Sequence, residues 1–284
     1  MTLERGINPE TGEVGTFVPD NAGYSIQSQA QRDSNRKYFD SLRNPTAGGK
    51  NVDFTFIAMA VMDEIINALT TAQCGYLLLL QCYVGYDDGT LTNADKTPMK
   101  TADMLNALQL GRKRQTFYDF LRKCLEHGII AENEAGNYAV NPRYHFRGVT
   151  RNRAVIRSYT AKVKQVYREV KAADLGLIYR MLPFVHYGTN ALCDNPLEQN
   201  PKGIRWFNGA ELAAAIGIDN RELYKRLPRM KFGDEFVVAK LSVGGDDPRF
   251  IFNPNVFYRK NSRPDDTLIA MFNVNNKPAR RRRR

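Results

Sequence analysis

No stretch of this chain is apolar for the ~18 residues a helix needs to cross a bilayer, so no membrane partner is expected. Cysteine is sparse: Cys74, Cys82, Cys124 and Cys193 form no CxxC pair, and buried free thiols in a reducing cytoplasm are the expectation. Histidine is sparser. His127, His145 and His186 lie far apart and make neither an HxH metal pair nor a zinc pattern. Gly48-Gly49-Lys50-Asn51 lacks the leading glycine and the hydroxyl of a phosphate-binding loop. The carboxylates form no isolated cluster, and residues 1–20 carry acids without the apolar stretch of a secretory signal. These absences argue against an enzyme, a metal site or a bound cofactor. They leave a binding protein of the cytoplasm.

What is present is positive charge, and it is localised. The chain has 284 residues, 43% hydrophobic, and a net charge of +11. That length allows about two domains of ~100–200 residues each. Residues 141–171 hold nine basic side chains against one acidic, and 277–284 hold six against none, whereas residues 51–140 are net acidic. The excess therefore sits in a linker and a tail, a focused footprint for a polyanion. A solvating linker and a solubility tail are the plainer reading of the same charges.

The chain also repeats itself. Gly75, Val84, Tyr86 and Leu91 match Gly176, Val185, Tyr187 and Leu192 at one constant step. Tyr118 and Leu121 match Tyr224 and Leu227 at a second, and Asn141-Pro142 and Arg147 match Asn253-Pro254 and Arg259 at a third. Each copy reads as an apolar helix, a short β segment, two helices and a hairpin. In the first copy, helical periodicity covers Thr71–Tyr83, Thr101–Leu108 (with Thr101 as N-cap) and a third helix to His127, before strands at Ile129–Ala131 and Tyr138–Val140. In the second, Asn208/Glu211 and Asp219/Glu222 make capping-box patterns, and Pro183 and Pro228 must break helices. A turn at Gly244–Asp247 separates the last strands.

This layout predicts a mainly α protein with short β-hairpin wings, an α+β chain of tandem winged-helix domains. The boundaries follow: a flexible arm over 1–50, a first winged helix over 51–148, a basic linker helix over 149–171, a second winged helix over 172–260 and a flexible basic tail over 261–284. Within the linker, Val155, Ile156, Tyr159, Val163, Val166 and Tyr167 fall on one helical stripe with Arg153, Arg157, Lys164 and Arg168 around it, which also suits a homodimer contact.

Two such modules bridged by a basic segment point to double-stranded DNA. A recognition helix presents polar side chains to base edges in the ~12 Å wide major groove, reaching deepest with its first turn. In the first copy that turn is Arg112, Lys113, Arg114, Gln115 and Thr116, with Tyr118 a turn on. Arginine forks onto guanine and glutamine onto adenine, so Arg114 and Gln115 are the base-contact candidates, with Lys113 and Thr116 closer to phosphates. An ordinary exposed basic turn is the alternative. The second copy offers Asn220, Arg221, Tyr224 and Lys225, and the linker adds Arg151, Arg153 and Arg157. The Arg280–Arg284 run would raise affinity without sequence choice.

From Phe54 to Arg147 the chain resembles the RepL-type replication initiators of Firmicute plasmids. The carrying residues are Phe54, Met62-Asp63, Ile65, Thr101 to Leu108, the third helix, Gly128-Ile129-Ile130, and Asn141-Pro142 through Phe146-Arg147-Gly148; Glu10 to Val14 is similar to that family's N-terminal stretch. The resemblance implies binding to origin repeats of a plasmid or phage and recruitment of host replication proteins, with no nuclease or ATPase of its own. The second copy and the arginine tail depart from that family. A winged-helix transcriptional regulator, acting at operator repeats, is the rival reading, and an adaptor using winged helices for protein contacts is a third.

Overall fold

The computed structural model describes residues 4–7, 14–17, 29–33, 46–47, 50–51, 53–86, 88–233, 235–242, 248–260, 262, 264 and 266–275. The turn at Gly244–Asp247 and the arginine run 280–284 lie outside them, as does most of the arm. The chain forms two compact units, Met1–Leu42 and Arg43–Arg284. The first holds an antiparallel hairpin of β1 (Glu4–Ile7) and β2 (Val14–Phe17), and a helical turn, α1 (29–33).

The second unit opens with a small hairpin, β3 (Thr46–Ala47) and β4 (Lys50–Asn51), and then says the same thing twice. Its first half runs β5 (Phe54–Ala58), α2 (Met62–Ala68), α3 (Thr71–Leu80), a 3-10 turn to Tyr83, α4 (Thr101–Ala107), α5 (Arg114–Glu126), β6 (Ile130–Glu132), β7 (Tyr138–Val140) and β8 (His145–Phe146). Its second half runs β9 (Val155–Tyr159), α6 (Thr160–Glu169), α7 (Ala172–Met181), a 3-10 turn to Phe184, α8 (Gly209–Ala215) and α9 (Asn220–Arg226). An extra hairpin, β10 (Lys231–Phe232) with β11 (Glu235–Phe236), precedes β12 (Val238–Leu241), β13 (Arg249–Phe252) and β14 (Phe257–Tyr258). The architecture is mixed α/β with small antiparallel sheets.

The halves meet about a local two-fold. The four-stranded sheet has the order β14-β9-β5-β8, and β5 and β9 pair antiparallel with Phe54 opposite Tyr159, Phe56 opposite Arg157 and Ala58 opposite Val155. The step that takes Gly75 to Gly176 also takes Phe54 to Val155, so this register maps onto itself through the Phe56–Arg157 pair. Helices α3 and α7 cross on the same axis. A Cβ on Gly75 would overlap the Ala172 carbonyl, and one on Gly176 would overlap the Thr71 carbonyl. Close backbone approach requires glycine at both positions. Helix α3 is buried on every side, which is why its sequence is apolar all round rather than striped. Its Leu77 to Leu80, at roughly 1.5–3 kcal/mol per buried side chain, belong to a core that continues through Phe117, Phe120, Leu175, Leu212 and Phe250.

Several expectations change. Residues 155–159, expected to begin a basic linker helix, form a buried central strand; the helical stripe is real only from Val163 onward, in α6. The segment is the second half's counterpart of β5 and α2, not a linker. The boundaries expected at 148 and 172 mark no break in the packing, because one core serves both halves. Residues 266–275, expected in a flexible tail, form α10 (Asp266–Asn275), whose buried Leu268 and Phe272 belong to one apolar cluster with Phe54 and Tyr159. Thr101 is not the cap of α4: Lys100 holds that position, and the Asp103 carboxylate accepts its backbone N–H at 2.8 Å. Asn208 and Glu211 do form the expected reciprocal box. Asp219 caps α9 alone, because Glu222 turns to Arg226 and Lys225 instead.

Candidate nucleic-acid interface

Helix α5 begins after a tight turn in which Gln109 adopts φ 55°, and it rests its Phe117, Phe120, Leu121 and Cys124 on the core. That stripe fixes which side faces out. Arg112, Lys113, Arg114, Gln115, Thr116 and Tyr118 are all exposed. The three cations make no hydrogen bond or ion pair among the described residues. Gln115 donates its amide to Asp119 at 3.0 Å, and Arg122 bridges Asp119 and Glu126. Three of the four cations of this segment that lack an ion pair among the described residues therefore cluster at the N-terminal end, with Lys123 alone in the last turn.

That end is electrostatically unusual. The N-cap position is Lys113, no side chain caps the first turn, and no acid lies in it. The free N–H groups and the helix dipole already make a helix start positive, so each nearby cation costs about 0.3–1 kcal/mol and an anion is favoured there. The partner helix α4 and both helices of the second pair carry an acid at the same point, namely Asp103, Glu211 and Asp219. Of these four helices α5 alone opens on bare positive charge.

The second set is arranged differently. Asn220, Arg221 and Lys225 are exposed, but Lys225 pairs with Glu222, and Arg226 is held by Glu222 and by the buried Asp174. Tyr224 is half-buried, its ring against Gly209, with the Lys240 ammonium 4.8 Å above it. Helix α9 is thus folded back on its own half.

Arg151 and Arg153 are exposed in the loop between β8 and β9. Arg157 is not available to DNA. It is 2% exposed, sits in the middle of β9, and stacks its guanidinium over Phe54 and Phe56 at 5.2 and 5.5 Å. The helical reading of 149–171 placed it on an outer flank; strand alternation and the two-fold place it on the axis. No hydrogen bond or ion pair joins the α5 cluster to the 151–153 loop or to α9.

The β6–β7 hairpin does not extend the basic surface. Glu132 and Glu134 are exposed on it, and the Lys100 ammonium turns inward to the carbonyls of Ala135 and Gly136 and to Asn137 Oδ1, fixing the tip. All four cysteines are free and buried, and burial pushes the thiols of Cys74 and Cys193 up to about 11 and that of Cys82 to about 12. Among the described residues no three His, Cys, Asp or Glu side chains gather to hold a metal, and no helix is long and apolar enough to cross a membrane.

Sequence reasoning missed one recurrent contact although its signal was there. The matched aromatic and arginine positions touch: Arg147 lies over Tyr86 at 5.3 Å and Arg259 over Tyr187 at 5.4 Å. Set against known families, curated proteins and solved structures, the chain matches none.

Proposed function

We propose that this protein binds double-stranded DNA through the N-terminal end of α5, and that each half of the second unit is a winged-helix module. The observation that carries the reading is the cluster Arg112, Lys113 and Arg114, exposed and unpaired at the uncapped, positive end of a well-packed helix. Phosphate oxygens would satisfy both the cations and the free N–H groups. Because Asp119 and Glu126 follow on the same helix, the docking is end-on: the first turn enters the groove and the later turns do not lie along it.

The second module supports the first. Its helix α9 is capped and internally paired, so it adds at most weak backbone contacts through Asn220 and Arg221. The local two-fold supplies within one chain the symmetry that other DNA binders obtain by dimerising, so one copy suffices for a site with one strong and one weak half. The resemblance of residues 54–147 to RepL-type proteins favours a replication initiator of a plasmid or phage, working at origin repeats with host replication proteins in the bacterial cytoplasm. The same surface would serve a transcriptional regulator.

The test is a binding series on duplex fragments from the replicon that carries the gene. Arg114→Ala and Gln115→Ala should each cost about 1–3 kcal/mol on the cognate fragment and relax base preference at one position. Equal losses on random duplex would reduce both to phosphate contacts. Loss of replication on deleting the gene favours the initiator; altered transcription with intact replication favours the regulator.

A further inference from the structure

The two halves differ in what surrounds their matched Tyr–Arg stacks. Beside the Tyr86–Arg147 stack lies a cavity of about 560 Å³, within the 300–1,000 Å³ typical of small-molecule sites. Asp53, Tyr83, Tyr86, Lys96, Arg147 and Lys164 line it. A second hollow, about 320 Å³, lies against Tyr86 and Arg147 as well. Tyr86 is 52% exposed between them.

The cations here are under-used. Arg147 gives one hydrogen bond, at 2.9 Å, to Asp53, while its buried Nε has no partner. Lys164 is half-buried, lies 3.8 Å over the Tyr83 ring and makes no hydrogen bond or ion pair among the described residues. Asp53 is occupied by Arg147 and by the Thr160 hydroxyl, and the Asp88 carboxylate by the amide and hydroxyl of Thr90. With Asp53 paired to Arg147, Lys96 and Lys164 outweigh the Asp88 carboxylate, and the lining is net positive by one charge.

The other half shows that the fold does not need this arrangement. There Arg259 donates to the carbonyls of Val185, Pro196 and Arg153, and the Tyr187 amide bonds back to Pro196, so the loop closes over the ring. The positions matching Asp53, Lys96 and Lys164 are Ala154, Leu197 and Asp63. Only the Tyr–Arg stack is common to both. Asp53 and Lys96 from the first half and Lys164 from the second thus set around Tyr86 charges that Ala154 and Leu197 lack and that Asp63 reverses.

We infer that this cavity binds a nucleoside monophosphate, its phosphate between Lys164 and Arg147 and its base stacked on Tyr86. The volume is several times that of a phosphate alone, and an exposed tyrosine face is a stacking platform for any base. The hydroxyls of Thr90 and Thr92 suit a ribose.

Calorimetry on the full chain without DNA tests it, with adenosine 5′-monophosphate, adenosine and inorganic phosphate as separate titrants. The nucleotide should bind at least about tenfold tighter than either fragment, since each fragment forfeits one anchoring interaction. Lys164→Met and Tyr86→Ala should each weaken it about tenfold or more, with circular dichroism unchanged. If Lys164→Met does not fold, Tyr86→Ala decides, because its ring is exposed. No heat with the nucleotide at millimolar concentration, equal binding of phosphate alone, or affinity indifferent to both substitutions would overturn the site. The outcome is separate from the DNA reading: replacing Arg112, Lys113 and Arg114 with alanine should leave nucleotide binding unchanged.

Discussion

Arg112, Lys113 and Arg114 sit where positive charge opposes stability. Removing each cation from the start of α5 should leave the fold unharmed or stabilise it by about 0.3–1 kcal/mol, because the dipole disfavours positive charge there. Urea denaturation of the single alanine variants measures this, and destabilisation would show that the three side chains are structural. Another residue sets a pH limit. Burial holds the His145 imidazole at about 3 against an ordinary 6.5, while its Nε2 shares a 2.9 Å hydrogen bond with the Tyr179 hydroxyl. As pH falls below about 6.5 the unfolded chain takes up this proton and the folded chain does not until pH nears 3. The contribution of this histidine is therefore fully present above pH 6.5 and is lost on going down, at up to about 1.4 kcal/mol per pH unit. His145→Gln should flatten that part of the curve; an unchanged acid slope would place the cause elsewhere.

The crossing of α3 and α7 organises the elements. Gly176→Ala gains up to about 1 kcal/mol of helix propensity but drives a methyl into the Thr71 carbonyl, and overpacking of 1–3 kcal/mol or more prevails. A net loss of about 2 kcal/mol in denaturant unfolding is expected. Gly111→Ala, whose methyl would meet only Leu105 Cδ2 at 3.7 Å, should be close to neutral. Gly75 and Gly176 were legible in the sequence as a matched pair, and so were α3, from its continuous apolar run, and α4 and α5, whose apolar spacing is helical. The central sheet was not. Strand β9 reads VIRSY, and with Arg157 in its middle it offers neither alternation nor a continuous apolar run. Pairing with β5 sets the guanidinium against the Phe54 and Phe56 rings, contacts between residues about a hundred positions apart. The exposed basic turn at Arg112–Arg114 was legible because its charges are contiguous. The cavity was not, because Asp53, Arg147 and Lys164 are distant in sequence.

At the scale of the whole molecule the two halves are one folding unit with a shared core, so its buried groups should become reactive together. A thiol reagent should label none of the four cysteines in the native chain and all four at a single unfolding transition. Labelling of one or two ahead of the rest would show that the halves open independently. The central claim is that the open end of α5 faces DNA phosphate and base. Its most direct test is the salt dependence of duplex binding, by fluorescence anisotropy, for the intact chain and for the variant with Arg112, Lys113 and Arg114 all replaced by alanine. Each lost phosphate contact removes about 0.9 from the slope of log affinity against log salt. The variant should bind more weakly and its slope should be shallower by about 2–3. The same slope and affinity in both proteins would contradict the account.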